Sequence, residues 1–395
     1  MAGALAGSGR RAVNPRRLFG AASAGMFVFG MLIALLGTLF GLPEMRARLG
    51  IDLARQGDLF GAFFVGLLAS TAAAGPILDR VGCQPVLLSA SVTVGGSLLL
   101  LAVARGFPGA ALAAVLLGVG GGWLNTATNA LVSDIYADDR GRMFNLLGIF
   151  FGVGALSVPL VVTFAFGVVP LSGMVLACAA VAGGSAVAYA VQRFPPPREG
   201  AAFSLAGVLR TGRDPGVWLF AALLFFESGN EASISGWTST YVRSVGWSAH
   251  AGLVILLGYW TMAIAGRALS ARWQARVGKS RLVIGCALLS VAGCLALLSA
   301  PRALPALAAG AWGTSLGFSA IVPTTLALVG DRYHRFAGSV FGFLFTVGNV
   351  GSMAFPWALG HISAAAGVRF GMVVPLVGTV AVTLCAVLVA RRTRR

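Results

Sequence analysis

Two carboxylates inside an apolar stretch are the residues of this sequence best suited to chemistry. Glu227 and Glu231 lie between Phe225 and Tyr241, in a run long enough to cross a bilayer. Residues i and i+4 share one face of a helix, so both acids point the same way. An acid in the hydrocarbon region is costly unless it faces a polar cavity or a partner. Two acids this close cannot easily both be ionised, so we expect them to share a proton and to form a coupling site for a proton or a cation. The alternative is a structural acid held by a Ser or Asn of a neighbouring helix.

The composition predicts a polytopic membrane protein. The chain has 395 residues, of which 57% are hydrophobic and only 10% are charged, whereas a soluble domain carries about 25% charged residues. Apolar stretches of about 20 residues, each long enough to span a bilayer, recur along the whole length. The composition therefore excludes a water-soluble class.

The net charge of +17 has a topological reading. Positive residues concentrate in the termini and in the loops that share a side with them, which indicates cytoplasmic termini and an even number of spans. We expect a multi-pass protein of a bacterial-type plasma (inner) membrane, with membrane lipids as partners and no binding of nucleic acid. The basic residues that fall in the opposite loops are Arg46, Arg48, Arg55, Arg105, Arg243, Arg302 and Arg369.

Twelve spans are predicted, in two groups of six. They cover roughly 18–42, 57–78, 85–104, 109–135, 143–167, 170–192, 216–242, 250–273, 281–299, 303–330, 338–362 and 369–390. A charged, Pro-containing stretch at 193–215 predicts a cytoplasmic linker between an N-terminal bundle (1–192) and a C-terminal bundle (216–395). The predicted fold is an all-α membrane protein with twelve transmembrane helices in two pseudo-symmetric six-helix bundles.

An internal repeat supports this division. The segment 129–136 aligns with 326–333, and the same offset of 197 residues places Gly154 on Gly351 without a gap. An offset of 196 places Arg80-Val-Gly82 on Arg276-Val-Gly278. Two similar halves are typical of transporters that bind their substrate between the repeats, near the middle of the membrane.

The loop after the second span resembles the signature of the major facilitator superfamily. Gly75-Pro-Ile-Leu-Asp79-Arg80-Val-Gly82 matches the pattern Gly-x-x-x-Asp-Arg-x-Gly, although the basic pair that usually follows is Cys83-Gln84 here. The resemblance covers essentially the whole chain. It implies the major facilitator fold, transport by alternating access, and an inward gate closed by ionic contacts. The gating candidates are Asp79, Arg80, Asp134, Arg140, Arg142 and Asp331; the alternative is that these charges only set the topology.

A narrower resemblance is to the fucose-permease-like and sodium/glucose-transporter-like branch. It is carried by Gly121-Gly-Trp-Leu-Asn125-Thr-Ala-Thr-Asn129 and by Glu231-Ala-Ser-Ile-Ser-Gly-Trp237. Fucose permeases have a glutamate at the position of Asn125. The resemblance therefore implies a sugar or polyol as substrate and a coupling charge that has moved to Glu227 and Glu231.

The candidate substrate-binding residues are polar or aromatic side chains within the spans. Asn125 and Asn129 share one helical face, and their amides suit a hydroxyl-rich or zwitterionic ligand. The alternative for such amides is bonding between helices, and the alternative for tryptophans near span ends is anchoring at the membrane interface. The full set is Trp123, Asn125, Thr126, Asn129, Asn230, Trp237, Trp312 and Asn349.

These observations predict a secondary active transporter of a small polar solute, with H⁺ or Na⁺ as coupling ion. One alternative is a proton-coupled exporter of amphipathic or cationic compounds, and another is a transporter-like receptor that does not cycle. The sequence contains no nucleotide motif, no nucleophile–base arrangement and no metal-ligand spacing, so neither enzyme activity, nor a cofactor, nor a bound metal is expected. We expect a monomer.

Overall fold

A computed structural model describes residues 14–136, 140–165, 168–196, 214–333 and 337–393. Within these ranges the chain is helical, and the connections are short. The helices are α1 Pro15–Leu39, α2 Pro43–Leu49, α3 Leu53–Val81, α4 Cys83–Val103, α5 Phe107–Ile135, α6 Arg140–Ala165, α7 Leu171–Val191, α8 Pro215–Ser244, α9 Ala249–Val277, α10 Lys279–Ser299, α11 Leu304–Arg332, α12 Ala337–Ala366, α13 Val368–Gly371 and α14 Val373–Thr393.

The long helices confirm the prediction of an all-α membrane protein. Eleven helices of the described ranges are long and apolar enough to cross a membrane. The twelfth predicted span is α8, whose 30 residues include Glu227 and Glu231 and whose polar side chains lower its hydropathy. Every residue of α8 from Ser233 to Val242 is buried, so neighbouring helices cover this part of α8. The sequence prediction missed α2, a short helix that begins at Pro43 and ends at Gly50 with φ = 60°.

Local sequence chemistry sets where several helices begin. The side chain of Asn14 accepts a hydrogen bond from the N–H of Arg16, and Pro15 follows it at the first helical position. Asp52 caps α3 in the same way, with its Oδ1 2.8 Å from the N of Arg55, and Asp214 caps α8. Such caps satisfy N–H groups that the first helical turn leaves without partners.

The predicted loop at 75–82 is largely helical, which corrects the sequence interpretation. Helix α3 continues through Pro76 to Val81, and only Gly82 leaves the helix, with φ = 81°. The equivalent Gly278 has φ = 85°. A residue with a side chain rarely adopts this backbone conformation, so glycine permits the sharp break between successive helices at both places.

The two repeats pack their helices in the same way. A Cβ atom on Gly154 would lie 2.0 Å from the carbonyl oxygen of Phe27, and one on Gly351 would lie 2.0 Å from that of Phe225. Helix α6 therefore approaches α1 as closely as α12 approaches α8. Gly120 and Gly317 form a second equivalent pair, since each contacts the backbone of the preceding helix. The predicted pseudo-symmetry is thus present in the packing.

Three pairs of helices make the main contacts between the described residues of the first half (14–196) and of the second half (214–393). They are α3 with α12, α6 with α9, and α1 with α8. We call the end of the molecule that carries α2 the α2 side, and the end that carries Asn14 and Thr393 the terminal side. Hydrogen bonds between described residues of the two halves join Gln56 to Thr240, Gly41 to Arg243, and Asp58 to both Trp357 and His361.

All of these bonds lie on the α2 side, because α1 and α8 end there and α3 begins there. The halves are therefore joined on the α2 side of the molecule. The domain bounds at 192 and 216 stay a prediction, and most of the predicted linker lies outside the described residues.

Candidate functional site

The two acids lie at the middle of α8 in different surroundings. Glu227 is fully buried, whereas the side chain of Glu231 is 25% exposed. Ser228 donates a hydrogen bond to Oε2 of Glu227 over 3.3 Å. The other oxygen, Oε1, is buried and has no hydrogen-bond partner among the described residues. One acid is thus enclosed by protein, and the other is partly exposed.

A positive charge on α9 completes this site, and the sequence analysis did not single it out. The guanidinium Nη2 of Arg267 lies 3.5 Å from Oε1 of Glu231. Arg267 stands ten residues before the end of α9, inside a segment apolar enough to cross the membrane. The signal was in the sequence, because an arginine at that depth needs a partner. The predicted span 250–273 contains it.

Arg267 also contacts the first half of the molecule. Its Cζ lies 5.3 Å from the ring centroid of Phe151 on α6, at a distance typical of a cation–π interaction. Phe151 in turn contacts Trp260 of α9, with ring centroids 6.2 Å apart. Arg267 therefore touches an acid of its own half and an aromatic ring of the other half.

Buried aromatic side chains surround the acids on the α9 side. Tyr259 and Trp260 are each only 1% exposed, and their rings meet edge to face at 5.4 Å. Tyr259 lies within electrostatic reach of both Glu227 and Glu231. Glu227 is enclosed in these surroundings, so a charge on this acid costs more there than it would at a surface.

The amides of α5 partner each other. Nδ2 of Asn129 lies 3.0 Å from Oδ1 of Asn125 and 2.8 Å from the backbone oxygen of Asn125. Both side chains are partly exposed, as is Thr126, so polar groups remain accessible to a ligand. Trp123 is half-buried on the same helix, and its buried Nε1 has no hydrogen-bond partner among the described residues.

The other predicted ligand residues are spread over the second half. Trp237 is fully buried and stacks on Phe60 of the first half at 6.3 Å, which places it in the contact between the halves. Trp312 donates from Nε1 to the backbone oxygen of Ile255 over 3.0 Å and joins α11 to α9. Asn349 lies partly buried on α12. The binding of substrate by these residues stays a prediction.

Asn230 lies against α14. It is fully buried, and neither polar atom of its amide has a hydrogen-bond partner among the described residues. A Cβ atom on Gly378 of α14 would lie 2.2 Å from its Oδ1. Its neighbour in the sequence, Ser228, receives a bond at its backbone oxygen from Ser352 of α12. The structure thus places Asn230 between α8 and α14.

The gating candidates lie at the terminal side. Asp79 is half-buried and Arg80 is exposed in the last turn of α3, and neither forms a hydrogen bond or ion pair with a described residue. Asp331 pairs with Lys279 of its own half. Asp134 lies half-buried at the end of α5, whereas the side chains of Arg140 and Arg142 lie outside the described residues. The gating role of this set stays a prediction.

Comparisons with known proteins agree with this architecture. The family model of the Major Facilitator Superfamily matches residues 22–276. The fold is similar to that of a variant of the nucleoside transporter NupG, with a TM-score of 0.78 and 13% identity over 95% of this chain and 99% of that one. It is also similar to a bacterial homologue of the human lysosomal transporter Spinster in an inward-facing, unoccupied conformation. That match has a TM-score of 0.79 and 14% identity over 95% of this chain and 97% of that one.

No curated protein sequence matches the chain. The family model nevertheless covers more than half of the 395 residues, and the folds agree over almost the whole length. The chain belongs to the major facilitator superfamily.

Proposed function

We propose that this transporter moves a small polar solute, such as a sugar or polyol, by alternating access and couples the movement to protons through Glu227 and Glu231. Membership of the superfamily supports transport in general. The ion pair between Arg267 and Glu231, next to the buried Glu227, is the observation that carries the coupling.

The charge of this cluster depends on one proton. With a single proton on the two acids, the cluster of Glu227, Glu231 and Arg267 is neutral. Without that proton it carries a net charge of −1, which is unfavourable because one of the two negative charges then lies on the fully buried Glu227. The proton therefore stabilises whichever conformation encloses the cluster, and a conformation that exposes the acids to water favours its release.

The contact of Arg267 with Phe151 supplies a link to the movement of the halves. A proton on Glu231 would remove the negative charge that holds the guanidinium. Arg267 would then be free to change its contact with α6 of the first half. A change of protonation would in this way act on the contact between α6 and α9, which is one of the main contacts between the halves.

A proton suits the buried acid better than a sodium ion does. Among the described residues Glu227 has one side-chain hydrogen-bond partner, Ser228. Hard metal cations generally require several oxygen ligands. A proton requires only one oxygen atom. The alternative is coupling to sodium. Uptake under an imposed Na⁺ gradient, compared with uptake under a pH gradient, distinguishes the two.

The amide pair on α5 supports a substrate with several hydroxyl groups. Asn125 and Asn129 can together donate and accept hydrogen bonds from a partly exposed helix face, as a sugar or polyol requires. The alternative, export of a cationic compound, would use the two acids as its site. Arg267 offsets one of their two negative charges, which weakens the exporter interpretation.

In the proposed orientation the terminal side faces the cytoplasm. The α2 side, where hydrogen bonds join the two halves, faces outward.

Uptake into proteoliposomes tests this function. Sugars, polyols, amino acids and nucleosides would be offered under an imposed pH gradient, and separately under a Na⁺ gradient. We expect one hydroxyl-rich solute to accumulate under the pH gradient alone. Glu227→Gln and Glu231→Gln should each reduce accumulation at least tenfold, and exchange of solute without a gradient should persist. Glu44→Gln is the matched control, because Glu44 is an exposed acid on α2.

Two results would overturn the proposal. One is accumulation that both glutamine variants leave unchanged. The other is gradient-driven extrusion of a lipophilic cation without uptake of any polar solute, which would establish the exporter alternative. Binding of a solute without exchange would instead identify a receptor that does not cycle.

A further inference from the structure

Two arginines from different halves line one open pocket on the α2 side. Arg46 lies on α2 of the first half, and Arg243 lies in the last turn of α8. The pocket has a volume of about 510 Å³ and is lined by Pro43, Arg46, Ala47, Gly50, Ile51, Asp52 and Arg243. It is separate from the acids at the middle of α8.

Arg46 is a partly buried cation whose side chain forms no hydrogen bond or ion pair with a described residue. Its Nε is buried and has no hydrogen-bond partner among the described residues. Burial, and then the positive charge of Arg243, lower the pKa of the Arg46 guanidinium, and the charge of Asp52 opposes them. Arg48, on the same short helix, instead donates to the backbone oxygens of Leu101 and Ala102 at 2.6 and 3.3 Å. The folded protein thus keeps the charged form of Arg46 at a cost that a bound anion would offset.

Arg243 joins the pocket to the contact between the halves. Its Nη1 donates to the backbone oxygen of Gly41, in the first half, over 2.7 Å. A guanidinium has five N–H donors, so the other N–H groups of Arg243 stay available to a ligand. The one carboxylate of the lining, Asp52, already accepts the N–H of Arg55 over 2.8 Å. Two cations and one anion leave the lining with a net charge of +1.

We propose that this pocket binds a small oxyanion, a phosphate or carboxylate group, between Arg46 and Arg243. Guanidinium forks match the paired oxygens of such groups and hold them through charge-assisted hydrogen bonds. Because the two arginines belong to different halves, the bound anion bridges them. The site is complete only while the halves meet on the α2 side, so the anion favours that conformation. A free anion and a phospholipid head group offer the same chemistry.

Binding of inorganic phosphate to the purified full-length protein tests the site without any measurement of transport. Labelled phosphate would be titrated in a detergent with an uncharged head group, at constant ionic strength set with chloride. We expect saturable binding with one phosphate per chain. Arg46→Gln and Arg243→Gln should each weaken it at least tenfold, and the corresponding Lys variants should weaken it less. Arg302→Gln is the matched control, since it removes an exposed arginine from the same side.

A second arm identifies the source of the anion. The protein would be placed in nanodiscs of phosphatidylcholine, with or without phosphatidylglycerol. Competition by phosphatidylglycerol would support a lipid head group as the occupant, and undiminished binding would support a free anion. The proposal is overturned if phosphate does not bind saturably, or if the Arg46 and Arg243 variants bind as the Arg302 variant does. The Lys variants keep this test decisive if a Gln variant fails to fold.

Discussion

Gly57 of α3 and Gly360 of α12 lie backbone to backbone across the two halves. A Cβ atom on Gly360 would lie 2.8 Å from the Cα of Gly57 and 2.9 Å from the backbone oxygen of Leu53. No side chain fits between the helices at this point, so the two glycines set how closely the halves approach on the α2 side.

Gly360→Ala should therefore shift the protein towards a conformation that is open on the α2 side. Overpacking of this kind costs about 1–3 kcal/mol, and about 1.4 kcal/mol corresponds to a tenfold change of populations. Spin labels at Arg105→Cys and Arg302→Cys, with the native cysteines replaced by serine, would report the distance between the halves. We expect an additional population at longer distance.

Gly61→Ala is the control for this variant. A Cβ atom on Gly61 would lie 3.6 Å from the nearest side-chain atom, Cδ1 of Trp357, which is an ordinary contact. Identical distance distributions for Gly360→Ala and Gly61→Ala would show that the glycine contact does not hold the halves together.

Asp58 should stabilise the contact between α3 and α12 on the α2 side. Its Oδ1 accepts a hydrogen bond from Nε1 of Trp357 over 3.1 Å and lies 2.9 Å from Nε2 of His361. Asp58→Ala removes both bonds, and because the groups are exposed to solvent the cost is about 1 kcal/mol or less. The same pair of spin labels should show a larger open population. Glu44→Ala should leave the distances unchanged. An equal effect of both variants would contradict a specific role of Asp58 in holding the halves together.

Arg267→Gln should destabilise the protein by removing the cation that pairs with Glu231. Glu231 is then left without its partner. Because the pair is partly exposed, the free energy of unfolding should fall by only about 1–3 kcal/mol. The added substitution Glu231→Gln should restore much of the thermal stability, but it should not restore gradient-driven accumulation. A double-mutant cycle on the melting temperature measures the interaction. If Arg267→Gln lowers the melting temperature equally with either residue at position 231, the ion pair does not contribute.

Gly154→Ala and Gly351→Ala should destabilise the protein to a similar degree. Each Cβ atom would lie 2.0 Å from a backbone oxygen of the packed helix, so each helix pair must separate, at a cost of about 1–3 kcal/mol or more. Melting temperatures in detergent would measure the loss.

Gly148→Ala on α6 and Gly342→Ala on α12 are the controls, because a Cβ atom at either position meets no atom within 4 Å. Alanine there should be neutral or slightly stabilising, since it favours the helix. A much smaller loss at Gly351 than at Gly154 would contradict the equivalence of the two repeats.

The helices themselves could be predicted from the sequence to within a few residues. The predicted span 85–104 is helix 83–103, and 216–242 is helix 215–244. Apolar length determines a span, because a backbone inside a bilayer must satisfy its own hydrogen bonds. The short helix α2 was missed, since seven residues between two spans carry little periodic signal.

Part of the candidate site could be predicted in the same way. Glu227 and Glu231 stand out because acids are rare in an apolar run, and their spacing places them on one face. Their different burial could not be predicted, because it depends on which helices pack against α8. The surroundings of Trp237 and Trp312 could not be predicted either. A sequence does not distinguish a tryptophan that stacks on a ligand from one that packs between helices.

The sequence by itself determined the membrane class, the positions of the spans, the internal repeat and the pair of acids. Each of these follows from local composition, spacing or similarity between two segments. The tertiary structure alone decided that Arg267 pairs with Glu231, that Arg46 and Arg243 share a pocket, and that Gly57 meets Gly360. These contacts join residues 36, 197 and 303 positions apart, so they depend on how separate helices pack and not on any local pattern.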